Sequence, residues 1–158
     1  MKKNIMLFIG GVALLCILAA FLLPIGPGIV RVDPAENFRG YDFVFANTAG
    51  SLTRHSYGGA IAAFSLLIIA AVFGLFAFFF AIPESTKKFA GVMGVFTALC
   101  LIAVGVIFLL GKQVVELSDA DMANCKLGFG FWGAGAASFL GALLFLGEGF
   151  FGFAKGKK

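Results

Sequence analysis

Read from its N-terminus, the chain alternates between long apolar runs and polar gaps. Ile5 to Leu23 holds 19 residues without a charge and stops at Pro24, and Gly58 to Ile82 holds 25 and stops at Pro83. Phe89 to Gly111 adds 23 more. A fourth run, Leu127 to Phe153, contains one acid, Glu148, near its C-terminal end. A helix rises about 1.5 Å per residue, so ~20 residues cross a hydrocarbon layer about 30 Å thick. The runs are apolar all round, without the period-two alternation of a membrane β-barrel strand. Backbone amides in lipid have to be satisfied within the segment, which selects helix. The pattern predicts an all-α integral membrane protein. Its single domain, 1–158, is a four-helix bundle with transmembrane helices at about 5–23, 58–82, 89–111 and 127–153.

The gaps between the runs are unequal. Pro83 to Lys88 is short enough to make the second and third helices antiparallel neighbours. Pro24 to Tyr57 spans 34 residues and Lys112 to Lys126 spans 15. In the longer gap, Pro24, Gly26, Pro27 and Gly28 break the helix and turn the chain. Ile29 to Asp33 then reads as a strand, Pro34 to Asn37 as a turn, and Phe38 to Phe45 as a second strand in which Tyr41, Phe43 and Phe45 alternate with Gly40, Asp42 and Val44. A small antiparallel sheet on the bundle is expected, and Val114 to Leu117 either joins it or prolongs the third helix. Ala46 to Ser51, small and polar, reads as a flexible stretch.

Composition agrees with lipid as the solvent. The chain is 61% hydrophobic and 13% charged, where a soluble domain has about 25% charged residues. Twenty-one phenylalanines against one tryptophan and two tyrosines supply aromatic bulk with no polar atom to satisfy. The net charge of +4 does not point to nucleic acid, because the cations cluster at the ends of apolar runs and form no stripe. Lys2 and Lys3 before an apolar run also resemble a signal peptide, whose apolar core is about 7–15 residues long and followed by small residues. At 19 residues, running on into Leu22, Leu23, Pro24 and Ile25, the first run reads as a retained helix.

Lysine placement sets the expected orientation. Lys2, Lys3, Lys87, Lys88, Lys155, Lys157 and Lys158 would share one side in very short segments next to helix ends, where the positive-inside bias acts most strongly. Both termini are therefore expected in the cytoplasm of a multi-pass plasma-membrane protein, with 24–57 and 112–126 outside.

Candidate chemistry is sparse. Cys16, Cys100 and Cys125 form no CxxC, and His55 is the sole histidine, so no metal site, cofactor or redox pair is expected. Cys125, in an outer gap, is either free or joined to another chain. His55 near Ser51 and Ser56 is loop proximity and not a nucleophilic triad, and Asp33, Glu36 and Asp42 read as solvated acids. Glu148 is the one ionisable residue inside a run. It reads as an interfacial acid reaching headgroup water or a C-terminal lysine, with a proton or ion relay as the competing role. Gly133, Ala137 and Gly141 recur every four residues, a stripe that lets helices approach closely, and Ala134, Ser138 and Ala142 run beside it.

Four helices with a large, strand-bearing first outer loop resemble the claudin-type tetraspan layout over nearly the whole chain. The Gly-Leu-Trp and cysteine-pair signature of claudin loops is absent, so the resemblance is one of architecture. Gly40-Tyr41-Asp42-Phe43-Val44-Phe45 is similar to a first-loop segment of small bacterial four-helix membrane proteins, a family that implies no activity. The expected function is non-enzymatic and works by contact: a scaffold, accessory subunit or cell-envelope interaction protein. Its partners would be membrane lipids and another protein or further copies of itself. Arg39, Tyr41, Asp42 and Phe43 would supply recognition, since Tyr and Arg often anchor interfaces. The alternative is a subunit of an oligomeric channel or transporter.

Overall fold

The computed structural model describes residues 2–32, 35–45, 57–115 and 119–154. In chain order the elements are α1 (Lys2–Leu22), a 3-10 turn at Leu23–Ile25, β1 (Pro27–Arg31), β2 (Glu36–Arg39), and a single helical turn, α2 (Asp42–Phe45). There follow α3 (Gly58–Phe80), a second 3-10 turn at Glu84–Thr86, α4 (Lys87–Leu109), the short α5 (Gly111–Val114) and α6 (Asp119–Asn124), β3 (Cys125–Leu127) and α7 (Phe129–Ala154).

Four of these helices are long and apolar enough to cross a bilayer: Leu7–Ile25, Gly58–Phe80, Lys87–Leu109 and Phe129–Phe150. They pack as a closed ring, α1 on α3, α3 on α4, α4 on α7, and α7 back on α1. Small residues fill much of the interior, with Ala13, Ala20, Ala63, Ala70, Ala77, Ala98, Ala134 and Ala142 all buried. Large apolar side chains point the other way, among them Phe8, Leu15, Ile68, Val72, Phe79, Phe96, Leu99, Leu140 and Leu143. A belt of oily side chains this extensive has lipid as its natural solvent, and alanine inside lets the helix backbones come close. The chain is a four-span membrane protein whose outer belt contacts lipid.

The backbones of α4 and α7 approach closely. A Cβ placed at Gly94 would lie 3.2 Å from the Phe145 carbonyl, one at Gly149 3.3 Å from the Gly91 carbonyl, and one at Gly135 3.3 Å from the Gly105 carbonyl. The stripe read from the sequence lies on the flank of α7 that meets α1: Gly133 faces Leu23, and Gly141 faces Cys16, Leu101 and the Ala13 carbonyl. Ala137 is half-buried against the same core. The stripe thus serves packing within the chain.

Helix ends differ from expectation by about two residues, for local reasons. Thr86 donates its hydroxyl to the Phe80 carbonyl at 2.7 Å, which satisfies the last turn of α3 ahead of Pro83. The fourth span starts at Phe129 because Cys125–Leu127 is a strand.

The sheet has the order β2-β1-β3, antiparallel throughout. Ile29 pairs with Phe38 and Leu127, while Val30 pairs with Asn37 and Lys126. One expectation is corrected here. The second strand ends at Arg39, and Asp42–Phe45 is helical, with the Val44 and Phe45 amides both donating to the Tyr41 carbonyl at 3.0 Å. The alternation misled because Tyr41 and Phe45 are also spaced i, i+4 and Phe43 falls on the opposite side of that turn. Of the two readings of Val114 to Leu117, the prolonged helix holds for its described start, because α5 follows Leu110 directly and runs through Val114, and the third strand comes from Cys125–Leu127 instead. Ala46 to Ser51 and Glu116 to Leu117 lie outside the described residues.

Candidate functional site

The sheet is fastened to the bundle by three kinds of contact, and each uses a residue that the sequence singles out or overlooks. The first is aromatic. Phe131, near the start of α7, packs in tilted contact against Phe43 and Phe108 with ring centroids 5.8 and 5.4 Å away. Its ring rests where Gly28, Gly40 and Gly111 leave space. A Cβ at Gly40 would come within 2.8 Å of that ring and 2.7 Å of Pro24, so only glycine fits. Phe43 is 0% exposed, packed against Phe38, Tyr57 and Phe131. A side chain so enclosed has no surface for a partner, and its proposed recognition role is corrected to core packing.

The second contact is polar. Tyr41 donates its hydroxyl to the backbone carbonyl of Phe21 at the end of α1. Its ring packs edge-on against Phe64 of α3 at 5.4 Å, beside Phe45. Burial pushes the Tyr41 phenol pKa above its ordinary value. A nearby space of about 10 Å³, lined by Pro24, Gly40, Tyr41 and Phe64 among others, has room for about one water. Tyr41 is thus an anchor for the loop.

The third is ionic. Arg31 donates to Asp121, 90 residues further along the chain, and lies 3.5 Å from Glu36. The hydrogen bond that Arg31 donates to Asp121 is the main cause holding its guanidinium pKa above its usual value. Asp42 accepts the Arg39 backbone amide at 3.0 Å, which closes β2 and starts the helical turn. Arg39 itself is exposed.

With Ile29, Phe38 and Leu127 turned inward, the strand alternation turns Val30, Asn37 and Lys126 outward. Asn37, Arg39 and Lys126 are exposed and Val30 half-buried, so the outer face is polar and carries two cations. Of the four residues expected to recognise a partner, only Arg39 has its side chain on this face. Lys126 and Asn37 join it; Lys126 was not legible because β3 was not foreseen, and Asn37 because it reads as the end of a turn when it belongs to β2.

At the opposite end of the bundle lies Glu148. It is 2% exposed, and among the described residues neither carboxyl oxygen has a hydrogen-bond partner. The carboxyl faces Gly10 of α1, where a Cβ would sit 3.2 and 3.3 Å from its two oxygens and 3.0 Å from Phe78 of α3. The side chain turns inward between helices and not out to headgroup water, which corrects that half of the interfacial reading. The other half, pairing with a C-terminal lysine such as Lys155, falls outside the described residues.

No protein-family model, curated protein or solved structure matches the chain.

Two other buried polar groups are satisfied within their own helices. Thr97 donates to the Met93 carbonyl at 2.9 Å and Ser138 to the Ala134 carbonyl at 2.8 Å. Cys125 is buried in β3 against the core, so a disulfide to another chain would require the strand to open. No group of three or more His, Cys, Asp or Glu gathers among the described residues. Asp33, Ser51, His55 and Ser56 lie outside them.

Proposed function

We propose that this four-span membrane protein is a non-enzymatic subunit of a membrane assembly, and that it works through contacts made by the outer face of its sheet. One observation supports the reading. The sheet is tied down by Phe131, Tyr41 and Arg31, while its outer face carries Asn37, Arg39 and Lys126. An ordered platform loses little conformational freedom on binding. Its two cations favour an acidic patch on a neighbouring protein, since complementary charge selects the partner and speeds encounter. In this reading both termini are cytoplasmic and the sheet stands on the outer side.

The test is a photo-crosslinking amino acid at Asn37, activated in native membranes. A discrete protein adduct is expected, lost in the Arg39→Glu, Lys126→Glu double variant while thermal stability in detergent stays unchanged. Adducts to lipid alone, or a protein adduct indifferent to the charge reversal, would overturn the reading.

A second reading, a subunit of an oligomeric channel or transporter, is favoured by the burial of Glu148. Ion flux through reconstituted protein, abolished by Glu148→Gln, would support it. Absence of flux would remove it.

A further inference from the structure

Glu148 lies six residues before the end of α7, about 9 Å along the helix axis from the terminus. A carboxylate without a counter-charge or donor is costly in an apolar interior, and ionisable groups kept within membrane spans usually serve ions or protons. The surroundings of Glu148 leave that cost uncompensated by any described neighbour. From α1 it meets Gly10, which has no side chain. Phe78 of α3 lies beside the same point. On the α4 side, the adjoining Gly149 backs onto Val95 and the Gly91 carbonyl.

Cationic positions are found further along each element, counted by backbone rise. Lys87, the first residue of α4, precedes Gly91 by four positions, about 6 Å along the axis, and has contacts of its own. Lys3 and Lys2 precede Gly10 by seven and eight positions, about 11 and 12 Å. Lys155, the next cation on the α7 side, lies outside the described residues.

From this arrangement we infer that Glu148 is a proton-binding site. Its carboxyl is held neutral between α1, α3 and α7, and it exchanges its proton with water at the nearer bilayer surface when α1 moves away at Gly10. The step is an association only: carboxylate plus one proton from water gives the acid, and nothing is oxidised or reduced. A metal cation fits poorly, because hard cations take about six or more oxygen ligands. Here the facing groups are a glycine and a phenyl ring, and the Thr97 and Ser138 hydroxyls are held by their own helices. A neutral acid can stay in this junction, whereas an ionised one draws in water. Proton occupancy is therefore linked to how tightly α1 closes on the ring. The inference deepens the second reading above, and equilibrium labelling separates the two, since a site can bind protons without conducting them.

The experiment uses the full-length protein in phosphatidylcholine nanodiscs. The probe is dicyclohexylcarbodiimide, an apolar reagent that adds to protonated carboxyls, with the adduct located by peptide mass mapping. A single adduct at Glu148 is expected. Its rate should fall about tenfold per pH unit beyond one midpoint, as a single titrating group requires. The adduct should disappear in Glu148→Gln, and the midpoint should move in Gly10→Ala, where the new methyl presses on the carboxyl.

An absent adduct would overturn the proton site, because a carboxylate paired with a lysine does not react. A pH-independent rate, or protection by sodium but not by choline, would overturn it as well. A Gly10→Ala curve that superposes on the parent would overturn the role given to α1. The wild-type pH profile decides the main point even where a variant fails to fold.

Discussion

The Tyr41 hydroxyl donates to the backbone carbonyl of Phe21, tying the sheet-bearing loop to the last turn of the first span. That carbonyl belongs to the helix end, where the chain runs into a 3-10 turn and Pro24. The bond therefore satisfies an acceptor near a helix terminus and fixes the loop at once.

Replacing Tyr41 by Phe keeps the ring against Phe64 and removes only this bond. A loss of about 0.5–1.5 kcal/mol is expected, the net worth of one such hydrogen bond, read as a lower midpoint in detergent-resolved thermal unfolding. The ring pairs should persist, so the folded form should keep its near-ultraviolet dichroism.

Alkaline pH should reproduce that loss in the wild type. Because burial raises the Tyr41 pKa, the folded state holds its proton more tightly than the unfolded one. The stabilisation is complete below the ordinary phenol value of 10.0 and is lost as pH rises from there through the folded pKa. Unfolding midpoints measured from pH 8 to 12 should show this decline in the wild type, and a shallower one in Tyr41→Phe.

Phe131 is wedged between sheet and bundle. Phe131→Ala leaves a cavity among Gly28, Gly40, Gly111, Phe43 and Phe108 that rigid helices cannot collapse into, and about 3–5 kcal/mol should be lost. Hydrogen exchange would locate the damage, with faster exchange in β1 and β2 and little change at the Glu148 end. Uniform acceleration along all four spans would contradict this local picture.

The α4–α7 seam makes a contrasting pair of substitutions. Gly94→Val should separate these helices, because even a Cβ comes within 3.2 Å of the Phe145 carbonyl. Gly147→Ala meets nothing within 4 Å and should be neutral or slightly stabilising, by up to about 1 kcal/mol from helix propensity. Disulfide trapping between cysteines placed across the seam would report the separation.

Arg31 should couple more strongly to Asp121 than to Glu36. Arg31 donates to both acids, but the Glu36 contact is the longer, at 3.5 Å, with the glutamate 42% exposed. Double-mutant cycles should give about 1 kcal/mol for Arg31–Asp121 and a few tenths for Arg31–Glu36.

The spans were legible because length and hydropathy alone decide them: nothing but helix tolerates 19 or more apolar residues in lipid. The sheet was legible only in its first half. β3 has three residues and abuts the apolar run of α7, so no alternation announced it. Arg31 finds its acid 90 positions away, a distance over which pattern carries no information. Tyr41, Phe43 and Phe45 fit a strand and a helical turn equally over so few residues. Glu148 misled for a different reason. Its place near a helix end suggested water, but the side it presents depends on what faces it, and Gly10 opens the space that admits it.

The ring closes between its earliest and latest members, and this has a consequence for biosynthesis. During translation α1 enters the bilayer long before α7 exists, and the free side of β1 waits as long for β3. Until the ribosome has delivered β3 and α7, the nascent protein therefore holds an open flank on α1 and an unzipped strand edge beside it. That interval is when insertion chaperones have something to hold.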